Sequence, residues 1–402
     1  MRILVAALGA SAIAAGTAAF ASGDMDAVLG RALFERDWVP APTSTDASDG
    51  LGPLFSARSC KGCHVGPSLA ARFTDAPDGR IAGRGLVMRF GDSEGNPDPL
   101  YGRLLQNQAV QGMQAEGRIV LTAPDDPNGA LEVMMTLDRG ALDPATRQSV
   151  RIAPPLRGRA LLDHIDSDAV LALADPDDMD GNSVSGRARM VDIDGVPTLG
   201  RYGWKAATTG LEDQIADAFA ADLGLSSARK PFPHGDCTER QTDCLSAPTG
   251  ESVRFDNHEI SAEMIRIVAA YVASLPSQRP ITLGIDGPRL FAEVGCAACH
   301  APDMPSQDGS SVAAYTDLLL HDMGEELDDG VGELGVASAE WRTAPLIGMA
   351  QTAGRRYLHD GRAPTLDIAI RAHGGEAAKA RANYVALSES ERRELVEFVG
   401  RL

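Results

Sequence analysis

Apolar residues recur at helical spacing in several stretches of this chain. From Asp256 to Leu275, Ile260, Met264, Ile267, Val268 and Tyr271 share one helix face, and Pro276 and Pro280 stop the run. From Ser388 to Leu402, Leu395, Val399 and Leu402 form a second stripe behind a Ser388/Glu391 capping box. A shorter helix starts after Pro364 and places Leu366, Ile370 and His373 on one face before Gly374 and Gly375 end it. Between residues 115 and 200 the pattern changes. Asp, Gly and Pro become frequent, and short strands are predicted at Arg118–Leu121 and Leu131–Met135. The N-terminal run from Ile3 to Phe20 is apolar and Ala-rich, follows Met1-Arg2 and ends at Ala19-Phe20-Ala21, which reads as a secretory signal over residues 1–21. No later stretch approaches a membrane span.

The 402 residues allow two or three domains, and 44% hydrophobic with 23% charged residues is ordinary globular composition. Aromatics are sparse at 5%, while Gly (42) and Pro (24) are abundant, as expected of helices joined by long loops around cofactors. The formal net charge of −19 argues against nucleic acid as a partner, because phosphate is repelled. It is compatible with a basic protein as electron donor.

Four of the six cysteines lie in Cys60-Lys61-Gly62-Cys63-His64 and Cys296-Ala297-Ala298-Cys299-His300. Each is a C-x-x-C-H motif, the attachment signature of a c-type haem. Two thiols one helical turn apart form thioethers to both vinyl groups, and the adjacent imidazole becomes the proximal iron ligand. Phe55 and Phe291 each stand five positions before the first cysteine, so a short apolar helix is expected to run into both turns, as in an internal duplication. The remaining pair, Cys237 and Cys244, is expected to form a disulfide closing a small surface loop in an oxidising compartment. The fold class expected is mainly α: two cytochrome c-like haem domains at 22–276 and 282–402, the first enlarged by loop and short-strand insertions.

What fills the second axial position of each haem decides between electron transfer and catalysis. His373, on an apolar helix face, is the distal candidate for the haem at His300. For the haem at His64, Met88, Met113 and His164 are the ligand-type residues, and none is an equally good partner. Asp178, Asp180 and Asn182 place oxygen ligands at alternate positions, like the first half of a calcium loop, with Ser183 where Gly is usual and no Glu at the twelfth position.

The stretch from Leu358 to Glu376, with His359-Asp360-Gly361 followed by Thr365-Leu366, resembles the C-terminal domain of bacterial di-haem cytochrome c peroxidases and related enzymes. There an H-D-G-x-x-x-T-L segment leads fourteen residues on to the distal ligand of the second haem. That ligand is Met in the peroxidases and Tyr in the methylamine dehydrogenase maturation enzyme; the position here is His373. Further segments are similar to the di-haem oxidoreductase family often labelled thiol oxidoreductase: Asp98–Gly102, Ala115–Arg118, Ala172–Asn182, Leu199–Ala206, Tyr315–Gly324 and Glu340–Leu346. They are spread over nearly all of the chain that follows the signal.

The resemblance implies that the N-terminal haem is the catalytic one and that a Glu or Gln on its distal side handles the proton of peroxide. Gln106, Gln108 and Glu116 lie in the corresponding stretch, although their spacing departs from the family's. It also implies a tryptophan relay between the haems, for which Trp204 is the candidate, and a calcium ion between the domains. The expected protein is a periplasmic di-haem oxidoreductase, peroxidase-like, carrying two covalent haem c groups and taking electrons from a small redox protein. An electron-transfer cytochrome without its own substrate, and a maturation enzyme oxidising a protein partner, are the alternatives.

Overall fold

The computed structural model describes residues 22–44, 48–67, 69–75, 80–122, 131–277, 286–351 and 356–402. The signal expected over residues 1–21 and most of the 276–282 linker lie outside them. Three helices frame the first C-x-x-C-H turn: α1 (Ser22–Glu35), α2 (Leu211–Leu223) and α3 (Ala262–Ser274). The third is the amphipathic run before Pro276, started by Ser261, whose hydroxyl accepts from the N–H of Met264. Helices α1 and α3 touch so closely at Gly30 that a Cβ there would lie 1.8 Å from the carbonyl oxygen of Ile267. Only glycine permits that approach.

A second helical group surrounds Cys296–His300: α4 (Gly287–Val294), α5 (Leu366–Arg371), α6 (Ala378–Ala386) and α7 (Glu389–Gly400). Its core is Leu290, Phe291, Val294, Tyr384, Leu395, Phe398, Val399 and Leu402, and full burial of each large apolar side chain contributes about 1.5–3 kcal/mol. The capping box of α7 forms as the sequence predicts, with Ser388 and Glu391 bonded reciprocally.

The protein is not mainly α: 31% of it is helix and 21% strand, in several small sheets. Strands β1 (Arg72–Asp75), β2 (Arg80–Arg84), β4 (Gly117–Thr122) and β5 (Glu132–Leu137) make an antiparallel sheet in that order. Strands β3 (Leu86–Gly91) and β6 (Arg147–Ile152) form a separate ribbon. The two strands expected near 118 and 131 are therefore present and pair with each other, and the first also pairs with β2, a segment whose alternation is weak. Strand β2 is nearly all exposed, so it carries little hydrophobic signal and its pairing partners decide its state. The expected repeat of a helix before each haem turn also fails in its first copy. Phe291 is on α4, whereas Phe55 lies in a two-residue strand, Leu54–Phe55, paired with Gln108–Ala109. The disulfide Cys237–Cys244 is present, and both cysteines are buried against Leu54 rather than at the surface.

The apolar core of the first helical group continues into Met304, Val312, Leu318, Leu319 and Ile347. Polar contacts, buried or partly buried, join the halves further. Arg151 pairs with Asp329 at 2.6 Å, Arg189 with Glu333 at 2.6 Å and Arg187 with Glu340 at 2.7 Å. Lys205, fully buried, donates from Nζ to the carbonyls of Ala337, Ser338 and Glu340 at 2.9, 2.8 and 2.6 Å. Burial and the nearby Arg151 pull its pKa down to about 7, while three carbonyl acceptors favour the three-donor ammonium. Replacing Lys205 by Met leaves those carbonyls without this donor, and unsatisfied buried groups cost about 1–3 kcal/mol each. The expected outcome is a loss of about 3 kcal/mol or more in unfolding free energy, read by denaturant titration.

Candidate functional site

One cavity of about 730 Å³ runs between the two helical groups, near the upper end of the ~300–1,000 Å³ usual for small-molecule and cofactor sites. Cys60, Cys63 and His64 line one end, and Cys296, Cys299, His300 and His373 the other. The turn Cys60–Cys63 is a single helical turn, and the N–H of His64 donates back to the carbonyl of Cys60. Cys296–Ala298 is a 3-10 turn following directly on α4 through Gly295, whose φ of 100° requires glycine.

The imidazoles share a common arrangement. Nδ1 of His64 faces the carbonyl of Leu69 at 3.0 Å, Nδ1 of His300 that of Tyr315 at 3.2 Å, and Nδ1 of His373 that of Ala369 at 2.8 Å. A carbonyl only accepts, so the proton is on Nδ1 and the lone pair on Nε2, the tautomer that backbone carbonyls impose on metal-bound histidines. Burial pushes all three pKa values down, His300 to about 4, with His373 a further cause there. Neutral imidazoles with a lone pair on Nε2 suit an iron in the cavity.

The four thiols are free and half-buried. Burial first, then the charge of Asp222, raises Cys60 and Cys63 to about 12, and burial raises Cys296 to about 11. Redox-active dithiols have lowered pKa values, the opposite direction to that of Cys60, Cys63 and Cys296.

Between the two ends the lining is aromatic and cationic. Trp204 Nε1 donates to the carbonyl of Ile152 at 3.1 Å, and the N–H of Ile152 donates to the carbonyl of His359 at 2.8 Å. The His359 ring stacks on Trp341 with centroids 3.7 Å apart and lies edge-on to Trp204 at 6.4 Å. Arg151 and Lys205 approach Trp341 at 4.4 and 3.9 Å. Two buried nitrogens among these residues, Arg151 Nη1 and His359 Nε2, have no hydrogen-bond partner. Two free thiol pairs, each followed by a neutral imidazole, at the two ends of one cavity match the attachment and ligation chemistry of haem c. The residue set therefore fits the cofactor that the sequence motifs imply.

The expected site residues are distributed unequally. Trp204 lies on the cavity wall, between the two motifs. Gln106, Gln108 and Glu116 are not among the lining residues. Glu116 is buried, accepting from the Gln106 N–H at 2.6 Å and from Gln241 Nε2 at 2.5 Å, and burial raises it to about 8. Gln106 in turn donates from Nε2 to the carbonyl of Ala221 at 2.9 Å, while Gln108 is exposed and bonds Ser56 O at 2.7 Å. Met88 and Met113 pack in separate apolar clusters, and His164 lines a different, smaller pocket. Asp178 and Asp180 converge with Asp175, their carboxylate oxygens within 4.8 Å of one another. Asn182 instead turns its side-chain oxygen to the N–H of Val184 at 2.7 Å.

A group that the sequence reading did not single out stands beside the second motif. His321 donates from Nε2 to Asp317 at 2.9 Å and from Nδ1 to Glu376 at 2.7 Å, with Cys299 Sγ at 3.8 Å. Two carboxylate acceptors require an imidazolium. Burial opposes the charge, but the bonds to Asp317, Cys299 and Glu376 overcome it and hold the pKa up to about 12. Asp317 and His321 are four apart in sequence and could have been paired on sight; Glu376 comes from the far side of α5. Because the folded pKa lies above the ordinary 6.5, the stabilisation is complete below about pH 6.5 and fades as pH rises toward 12. His321→Gln is expected to cost about 3 kcal/mol near pH 6, with the gap to the unmodified protein narrowing in denaturant titrations at alkaline pH.

Comparison with known proteins supplies the remaining finding. A family described as "Di-haem oxidoreductase, putative peroxidase" matches residues 133–402. The match includes Cys296–His300, Trp204, His321, His359 and His373, and begins after Cys60–His64. No curated protein matches. A chain of Kuenenia stuttgartiensis hydrazine synthase, in a structure pressurised with xenon, aligns at 16% identity over 61% of this chain and 91% of its own, with a TM-score of 0.25. At that score it carries no argument about fold or activity. On the family match, which extends over more than half of its length, this chain belongs to the di-haem oxidoreductases.

Proposed function

We propose that the protein carries two covalently attached haem c groups, at Cys60–His64 and Cys296–His300, and works as a peroxidase-like oxidoreductase in the periplasm. The observation that carries this reading is an asymmetry within one cavity. A second, half-buried imidazole, His373, accompanies His300 closely enough to lower its pKa, whereas Met88, Met113 and His164 all lie off the cavity that His64 lines. Bound haem supplies one-electron chemistry and, where its second axial position is open, a place for an oxidant.

The chain's own residues do the rest. Leu69, Tyr315 and Ala369 carbonyls fix the three imidazole tautomers, and the apolar walls of the cavity exclude water. Trp204 occupies the wall between the motifs. Electrons enter at the His300/His373 end and leave at the His64 end, where peroxide is reduced. The net charge of −19 favours a small basic redox protein as donor. The signal-like N-terminus and the Cys237–Cys244 disulfide support export, and no described helix is long and apolar enough to cross a membrane. Calcium is the finer expectation for the acidic loop, supported by the convergence of Asp175, Asp178 and Asp180.

The test is electron paramagnetic resonance combined with carbon monoxide binding to the reduced protein. A high-spin signal and carbon monoxide binding at one haem are expected. His373→Ala is expected to convert the other haem from low spin to a carbon monoxide-binding form. Two haems that remain low-spin and closed to carbon monoxide in every redox state would instead make this an electron-transfer cytochrome.

A further inference from the structure

Helix α2 turns one face toward the first end of the cavity. Gln214, Ala218, Ala221 and Asp222 lie on it, so small side chains give way at the last turn to a carboxylate. Its place is fixed through the backbone: the Asp222 carbonyl accepts from the N–H groups of Ser56 at 2.8 Å and Ala57 at 3.1 Å, just ahead of Cys60. The side chain is different: no described residue gives it a hydrogen bond, and burial and through-space charges are the largest influences on it. The residue is half-buried, and it lines the cavity beside the Cys60–Cys63 turn.

The charges around it come from each element packed at this corner. Arg89 is on β3, Arg103 on the loop that follows, Asp217 on α2 itself and Asp236 on the disulfide loop. Arg103 is held by Asp236 at 3.1 Å and Asp217 at 3.6 Å, and Arg89 by Glu333 at 3.7 Å. Neither cation therefore contacts Asp222. The charge of Asp222 reaches the sulfurs of both Cys60 and Cys63. Burial, the largest cause, lifts the carboxyl to about 7, with Asp217 adding to it and Arg103 and Arg89 opposing. Its two forms are then nearly balanced at neutral pH.

We propose that Asp222 is the proton acceptor coupled to reduction of the first haem. The inference rests on the reading of Cys60–His64 as a haem site. One electron from the donor protein adds negative charge at this end of the cavity, and the Asp222 carboxylate takes one proton from solvent, forming one O–H bond. The net charge is unchanged, which matters because like charges repel strongly where water is excluded. Asp222 acts through its charge and is a positioning residue, not one that touches the reacting atoms.

Optical potentiometric titration of the full-length, haem-loaded protein between pH 5.5 and 8.5 is the test. The midpoint potential of the first haem is expected to fall as pH rises through neutrality, since a proton must then accompany the electron. Asp222→Asn, neutral at every pH, is expected to flatten that dependence and to leave the potential at pH 8.5 above that of the unmodified protein. A slope that survives in Asp222→Asn overturns the inference. Redox-difference infrared spectra of the unmodified protein give an answer that needs no variant: a protonated carboxyl band rises on reduction, or its absence overturns the assignment. A flat potential in protein carrying both haems defeats this inference alone, whereas a first site without haem defeats the reading beneath it as well.

Discussion

The buried ammonium of Lys205 holds the turn 337–340 against the 199–206 segment through three carbonyl bonds. The shared cavity depends on that closure. Trp341 follows the turn directly and carries His359 stacked on its ring, with Lys205 itself over the indole. Trp204, one residue before Lys205, bonds Ile152, which bonds His359 in turn. One buried cation thus sets the relation between the wall supplied by the first half and the wall supplied by the second. Ion pairs of Arg151, Arg187 and Arg189 with Asp329, Glu340 and Glu333 extend the same seam. A seam of desolvated charges is weak evidence for stability but fixes geometry strictly, because a misregistered partner leaves an uncompensated charge.

The two ends of the cavity are chemically unequal. Around His300 the protein supplies a second neutral imidazole and, beside Cys299, the His321 imidazolium with its two carboxylates. Around His64 it supplies the α2 face, with Asp222 and the clamped arginines Arg89 and Arg103. At the second end the His321 imidazolium is held by two carboxylates; at the first, a carboxyl without a protein hydrogen-bond donor lines the cavity. Glu116 stands behind it, joined through Gln106 to Ala221, the residue before Asp222.

Legibility in the sequence followed locality. The capping box at Ser388, the amphipathic helix before Pro276, the strands near 118 and 131 and the Cys237–Cys244 pair could all be read from spacing, and all form. The mainly α expectation failed because strands such as Arg80–Arg84 are exposed and polar, with no hydrophobic alternation to announce them. The first haem turn was expected to follow a helix by analogy with the second. Phe55 is instead paired with Gln108, a partner more than fifty positions away.

The sequence by itself determined the two C-x-x-C-H motifs and the order in which His64, His300 and His373 occur, because each motif is written in adjacent residues. Only the tertiary structure decided that both turns open into one cavity and that Glu116 is set back from it. It also decided that Asp222, unremarkable in sequence, faces the cavity without a hydrogen bond. The reason is physical: burial and the absence of a partner are properties of everything that surrounds a group. For Asp222 those surroundings come from β3, the loop after it, the disulfide loop and the segment before Cys60, which no local pattern brings together.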